Sequence, residues 1–145
     1  MRNLLIDIVF SLLLATGILF WQHSPLEPTP LKFRDQYAKQ ISLQKTSIIL
    51  FWDWNIKSSH RAIQLYQRFH QAHPDIHLYF IHQETHPHED LNNFLINLGV
   101  YTTPLYSDHW PSQVPMTILV NEDTTEEIHH SLHYTQLMEF FSKEY

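Results

Sequence analysis

Residues 47–61 read SIILFWDWNIKSSHR, and no other stretch constrains the fold as strongly. Ile48 to Trp52 is an unbroken apolar and aromatic run, suited to a strand buried on both faces. Asp53 to Lys57 forms a polar turn. Ser58 or Ser59 then offers a hydroxyl to cap a helix whose apolar positions are Ala62, Ile63, Tyr66 and Phe69. A buried strand that feeds a helix N-terminus presents a reactive or binding group to backbone N–H groups and to the positive end of the helix dipole.

Upstream, Leu4 to Trp21 is apolar except for Asp7, Ser11, Thr16 and Gly17. As a helix it would extend about 27 Å, enough for a bilayer core. Arg2 favours a cytoplasmic N-terminus, and Trp21 stands where an interfacial aromatic belongs. Asp7 is near the cytoplasmic end, within reach of the interface. A cleaved signal peptide is the competing reading, with Ala15-Thr16-Gly17 as a weak small-x-small site. Bulky Ile18 to Trp21 continue the apolar run past that site, which favours an uncleaved anchor. The expected organisation is a signal anchor or transmembrane helix over 1–21, a proline-stiffened spacer over 22–30 (QHSPLEPTP), and one domain over 31–145. That domain would lie outside the cytoplasm: in a Gram-negative cell, in the periplasm, held to the inner membrane by a single pass.

Within the domain, Leu31 to Asp35 and Gln40 to Leu43 read as short strands about a turn at Gln36 to Lys39. After the central strand and helix, His73-Pro74-Asp75 is a turn. Ile76 to His82 alternates as a strand, with Ile76, Leu78 and Phe80 on one face. Leu91, Phe94, Leu95 and Leu98 mark a helix closed by Gly99 in a left-handed cap. Tyr101 to Tyr106 is extended, and Pro104 confines it to an edge or a loop. Val114 to Val120 is a strand opened by Pro115, and residues 121–124 form a turn. Glu126 to Leu132 pairs back as a hairpin strand, and Leu137, Phe140 and Phe141 mark a last amphipathic helix. The order predicts an α/β domain, a mixed central sheet flanked by helices.

From about Leu31 onward the chain resembles the TlpA/ResA-like branch of the thioredoxin superfamily, including anchored members similar to suppressor for copper sensitivity protein D. The resemblance rests on LKFRD…ISL as a leading hairpin, IILFWDW as the FW-containing strand, LGVYTTPLYSDHW after the second helix, and VPMTILVNED as the cis-proline strand. It implies a thioredoxin-like fold and a cis Val114-Pro115 bond beside the turn at Asn55 to Ser59. It also implies a cleft in which the Val114 backbone pairs with an extended peptide by β-augmentation. The implied contact residues are Trp54, Asn55, Ser58, Ser59, Val114 and Pro115. Ancestry of this kind carries the label of thiol–disulfide oxidoreductase and of cell redox homeostasis.

The chemistry does not follow the label, because the chain has no cysteine. Thiol–disulfide exchange starts from a thiolate at a helix N-terminus. If Trp54 is the second tryptophan of the FWAxW-C-x-x-C pattern, Asn55 and Ser58 replace the cysteines. If the FW pair aligns without a gap, Ile56 and Ser59 do. A serine hydroxyl is not a nucleophile without a base, and adjacent Ser59 and His60 point in different directions on a helix. The expectation is a redox-inactive domain with no catalytic residue, no cofactor, and a peptide or protein partner.

A net charge of −6 argues against nucleic acid as a partner. Twelve histidines raise an alternative, copper or zinc binding in a metal-stress protein, with His86, His88, His129, His130 and His133 as candidates. None of these matches a recognised zinc spacing, and solvated surface histidine is the simpler expectation.

Overall fold

The computed structural model describes residues 31–83, 87–122 and 124–142. The apolar segment 4–21, the spacer 22–30 and His86 lie outside the described residues. Among the described residues there are seven strands: β1 (Phe33–Arg34), β2 (Gln40–Ile41), β3 (Thr46–Phe51), β4 (His77–His82), β5 (Leu105–Ser107), β6 (Met116–Asn121) and β7 (Thr124–Ile128). Three helices accompany them: α1 (Lys57–Ala72), α2 (His88–Asn97) and α3 (Tyr134–Ser142).

The strands make one sheet in the order β2-β1-β5-β4-β3-β6-β7. β3 pairs parallel with β4, and β4 with β5. The other four pairings are antiparallel. The mixed sheet predicted from the element order is present, with β3 flanked on both edges and buried from Ser47 to Phe51. That burial explains why its sequence is apolar without alternation.

Successive residues of β3 still serve different cores. Ile48, Leu50 and Trp52 enter one apolar cluster with Ile63, Tyr66 and Phe69 of α1, Leu91 and Leu95 of α2, and Leu137 and Phe140 of α3. Ile49 and Phe51 enter a second cluster with Phe33, Ile81, Leu105, Met116 and Ile118. The described helices therefore bury their side chains in one cluster, not in both.

Two strand expectations need correction. The extended segment after α2 is neither edge nor loop: β5 lies inside the sheet, between β1 and β4. Pro104 is compatible with this because the strand begins one residue later, so the ladder never needs the missing N–H. The hairpin strand runs Thr124–Ile128 instead of Glu126 to Leu132. Its register follows from the turn, where Asn121 pairs with Thr124 and Glu122 takes φ 41°. Four of its five residues are exposed, so no apolar alternation marks it in the sequence.

Helix α2 ends as its glycine predicts. Gly99 has φ +77°, its N–H bonds the Ile96 carbonyl at 2.9 Å, and the Val100 N–H bonds the Leu95 carbonyl at 2.9 Å. This paired arrangement is a Schellman motif, with Val100 and Leu95 both buried in the first cluster.

Candidate docking cleft

The turn between β3 and α1 is built by Asp53. Its carboxylate accepts the Asn55 N–H at 2.8 Å, and its carbonyl accepts the Ile56 N–H at 3.2 Å. These are the local bonds by which aspartate replaces glycine in a turn. Ile56 is the N-cap of α1, extended at φ −106° and ψ 114°, with no side-chain cap bond. The capping role expected of Ser58 or Ser59 is therefore not realised, since both lie within the first helical turn. Ser59 is fully buried, and its hydroxyl accepts the Asp53 N–H at 3.2 Å. It locks the turn onto the helix from inside and offers no contact surface, which removes it from the exposed set of cleft residues.

His60 takes no part in a nucleophile–base pair. Its Nε2 lies 2.5 Å from the Trp54 carbonyl oxygen, which can only accept, so Nε2 carries the proton. Phe94 of α2 gathers the aromatic side chains of the turn. It stacks on Trp52 at 5.7 Å and meets Trp54 edge-on at 6.2 Å and His60 at 5.1 Å. Trp52 is fully buried, and Trp54 is half-buried against the same core.

The Val114-Pro115 bond is cis. Pro115 precedes β6, whose Thr117 hydroxyl lies 2.6 Å from the Tyr66 hydroxyl of α1. This buried bond ties the proline strand to the helix. Burial pushes the Tyr66 pKa up to about 12, while the bond to Thr117 acts in the opposite direction.

Helix and proline share one space. A cavity of about 410 Å³ is lined by Ser58, Arg61 and Tyr66 of α1, by Pro115 and Thr117, and by the chain from His130 to Tyr134. Of the six contact residues predicted, Ser58 and Pro115 meet at this cavity. Asn55 is exposed on the turn. The side chain of Val114 packs against the second cluster. Sequence reasoning missed Arg61, which lines the cavity, and Phe94, which supports the turn from behind; it singled out His130 and His133 only as metal candidates, and both line the cavity. Phe94 was legible only as core. The shared cavity carries no local signal, because the fold brings Arg61, His130 and His133 together from distant segments.

Among the described residues, no three His, Asp or Glu side chains are grouped to hold a metal ion. His88 instead bonds the Tyr106 hydroxyl at 3.1 Å, and His129 bonds Glu127 at 2.6 Å. No helix among the described residues is long and apolar enough to cross a membrane.

No protein-family model matches the sequence, and no curated protein matches it. Solved structures do. A secreted disulfide oxidoreductase of Mycobacterium tuberculosis, described as homologous to Escherichia coli DsbE, is 13% identical over 77% of this chain and 93% of its own, with a TM-score of 0.61. StoA from Bacillus subtilis is 16% identical over 80% of this chain and 98% of its own, with a TM-score of 0.58. The thioredoxin domain of a thiol-disulfide oxidoreductase from Bacteroides vulgatus is 15% identical over 76% and 91%, with a TM-score of 0.60. At these identities the likeness is one of fold, and the fold is thioredoxin-like.

Proposed function

We propose that this thioredoxin-like chain is a redox-inactive docking domain that binds a peptide or partner protein on the extracytoplasmic side of a membrane. One observation carries the reading: the first turn of α1 and Pro115 line a common cavity in a chain that contains no cysteine. Two of the similar solved structures are described as disulfide or thiol-disulfide oxidoreductases, and that reaction needs a thiolate. This chain shares their fold and has no thiol for that chemistry. Main-chain pairing beside a groove requires no sulfur.

The helix start favours one of the two cysteine registers. A reactive thiolate belongs at the helix N-terminus, and here the N-cap is Ile56, with Ser59 three residues on and buried. We infer that Ile56 and Ser59 stand in the cysteine places. Half-buried Trp54 and exposed Asn55 then precede the helix as the shoulder of the cleft, meeting a partner together with Ser58, the Val114 backbone and Pro115. Anchoring rests on the apolar run Leu4 to Trp21 with Arg2 before it. An extracytoplasmic position is supported by the description of one similar structure as a secreted protein.

The test is site-specific photocrosslinking in living cells, with the photoreactive residue at Asn55 or Val114 and a control at Tyr37, an exposed residue of the β1–β2 turn. Docking at the cleft predicts a discrete adduct from 55 and 114 and none from 37. Equal or absent labelling at the cleft positions rejects the proposal.

A further inference from the structure

We propose, building on the docking reading, that the segment received by the cavity between α1 and residues 130–134 is acidic, a peptide bearing carboxylate side chains. Arg61 and Arg68 both line this cavity, two helical turns apart on one face of α1. His130 and His133, from the segment between β7 and α3, also line it. No aspartate or glutamate is among its lining residues.

That charge pattern runs against the chain as a whole, which carries 15 acidic and 9 basic residues. Arg34 shows what happens elsewhere on the domain, since it is paired with Asp108. Among the described residues, neither Arg61 nor Arg68 makes an ion pair. Arg68 uses its Nε only to reach the Gln64 carbonyl of its own helix, at 3.3 Å. Guanidinium groups that line a cavity and make no ion pair among the described residues each suit one planar carboxylate, which accepts two parallel N–H bonds from a single guanidinium. The histidine rings add further N–H donors. Leu65 and Leu132 leave apolar lining for the stem of a glutamate or a neighbouring side chain. The volume, about 410 Å³, is in the range of spaces that enclose a ligand of several side chains. An extended partner running past Pro115 would thus lay acidic side chains along α1.

The test uses the full chain in a nonionic detergent and fluorescence anisotropy with three labelled peptides of equal length. One is glutamate-rich, one has glutamine at the same positions, and one has lysine. The glutamate peptide is expected to bind at least about tenfold more tightly than the glutamine peptide, and the difference should shrink as salt rises. In R61Q/R68Q the two should bind within about twofold of each other, and R61E/R68E should prefer the lysine peptide. Both arginines are exposed, so these variants should fold. Equal binding of the glutamate and glutamine peptides, no binding of either, or a preference that survives in R61Q/R68Q overturns the inference. The crosslinks at Asn55 and Val114 decide the docking reading separately. Adducts without a glutamate preference overturn the acidic specificity and leave docking intact. A glutamate preference lost in R61Q/R68Q supports the acidic cavity even where those crosslinks fail.

Discussion

Tyr66 and Ser59 show how single residues fix the cleft. Tyr66 was legible as a core position of a helical stripe, and it is one. Its hydroxyl was not legible, because Thr117 reaches it only once β6 lies beside β3. In Tyr66→Phe the buried Thr117 hydroxyl would lose its partner, at a cost of about 1–3 kcal/mol at neutral pH. Alkali should narrow that difference. The wild-type pKa is raised from 10.0 to about 12 on folding, so the neutral phenol stabilises the fold fully below pH 10. That stabilisation, about 2–3 kcal/mol, is lost as pH rises from 10 toward 12. The phenylalanine variant has no such loss. Urea unfolding of both proteins at pH 7 and pH 11 checks this; a gap that widens at pH 11 contradicts it. Ser59 illustrates the opposite case. A serine ahead of an apolar stripe signals a cap, but Asp53 already shapes the turn, the helix begins at Lys57, and the serine is drawn inside.

The element on which the proposed docking rests is the N-terminal end of α1. Its existence and the strand before it were legible because five apolar residues followed by a polar turn admit few alternatives. Its first residue was not, since neither alignment of the tryptophans fixes where helical bonding starts. The bonds from the Ser59 and His60 N–H groups to the Ile56 carbonyl do. If Ile56 occupies the place of a reactive cysteine, a thiol put there should feel the helix N-terminus more than one at Asn55. Ile56→Cys is expected to titrate below about 7.5, and Asn55→Cys near the ordinary value of about 8.5. Absorbance of the thiolate against pH measures both, and the reverse order would favour the Asn55/Ser58 register. Strands β5 and β7 were misread at the same scale. Their sequences lack alternation, and their places are set by partners: β5 by β1 and β4, β7 by its turn with β6.

At the scale of the molecule, the sheet order brings together what the sequence scatters. Parallel pairing of β3 with β4 sets α1 against the sheet, and antiparallel β6 returns Pro115 to the helix start. The cleft's backbone was foreseeable from the order of its motifs. Its charge was not, because Arg61 and Arg68 share a cavity with residues 130–133 only in the folded chain. Hydrogen exchange on the full chain tests most directly whether the cleft docks a partner without a thiol. The chain is measured free and bound to the partner captured by crosslinking, and amide protection is read by segment. Slowed exchange over 53–59 and 114–117, with 35–39 unchanged, is the predicted result. Protection confined to other segments, with both sides of the cleft exchanging as in the free chain, would contradict it.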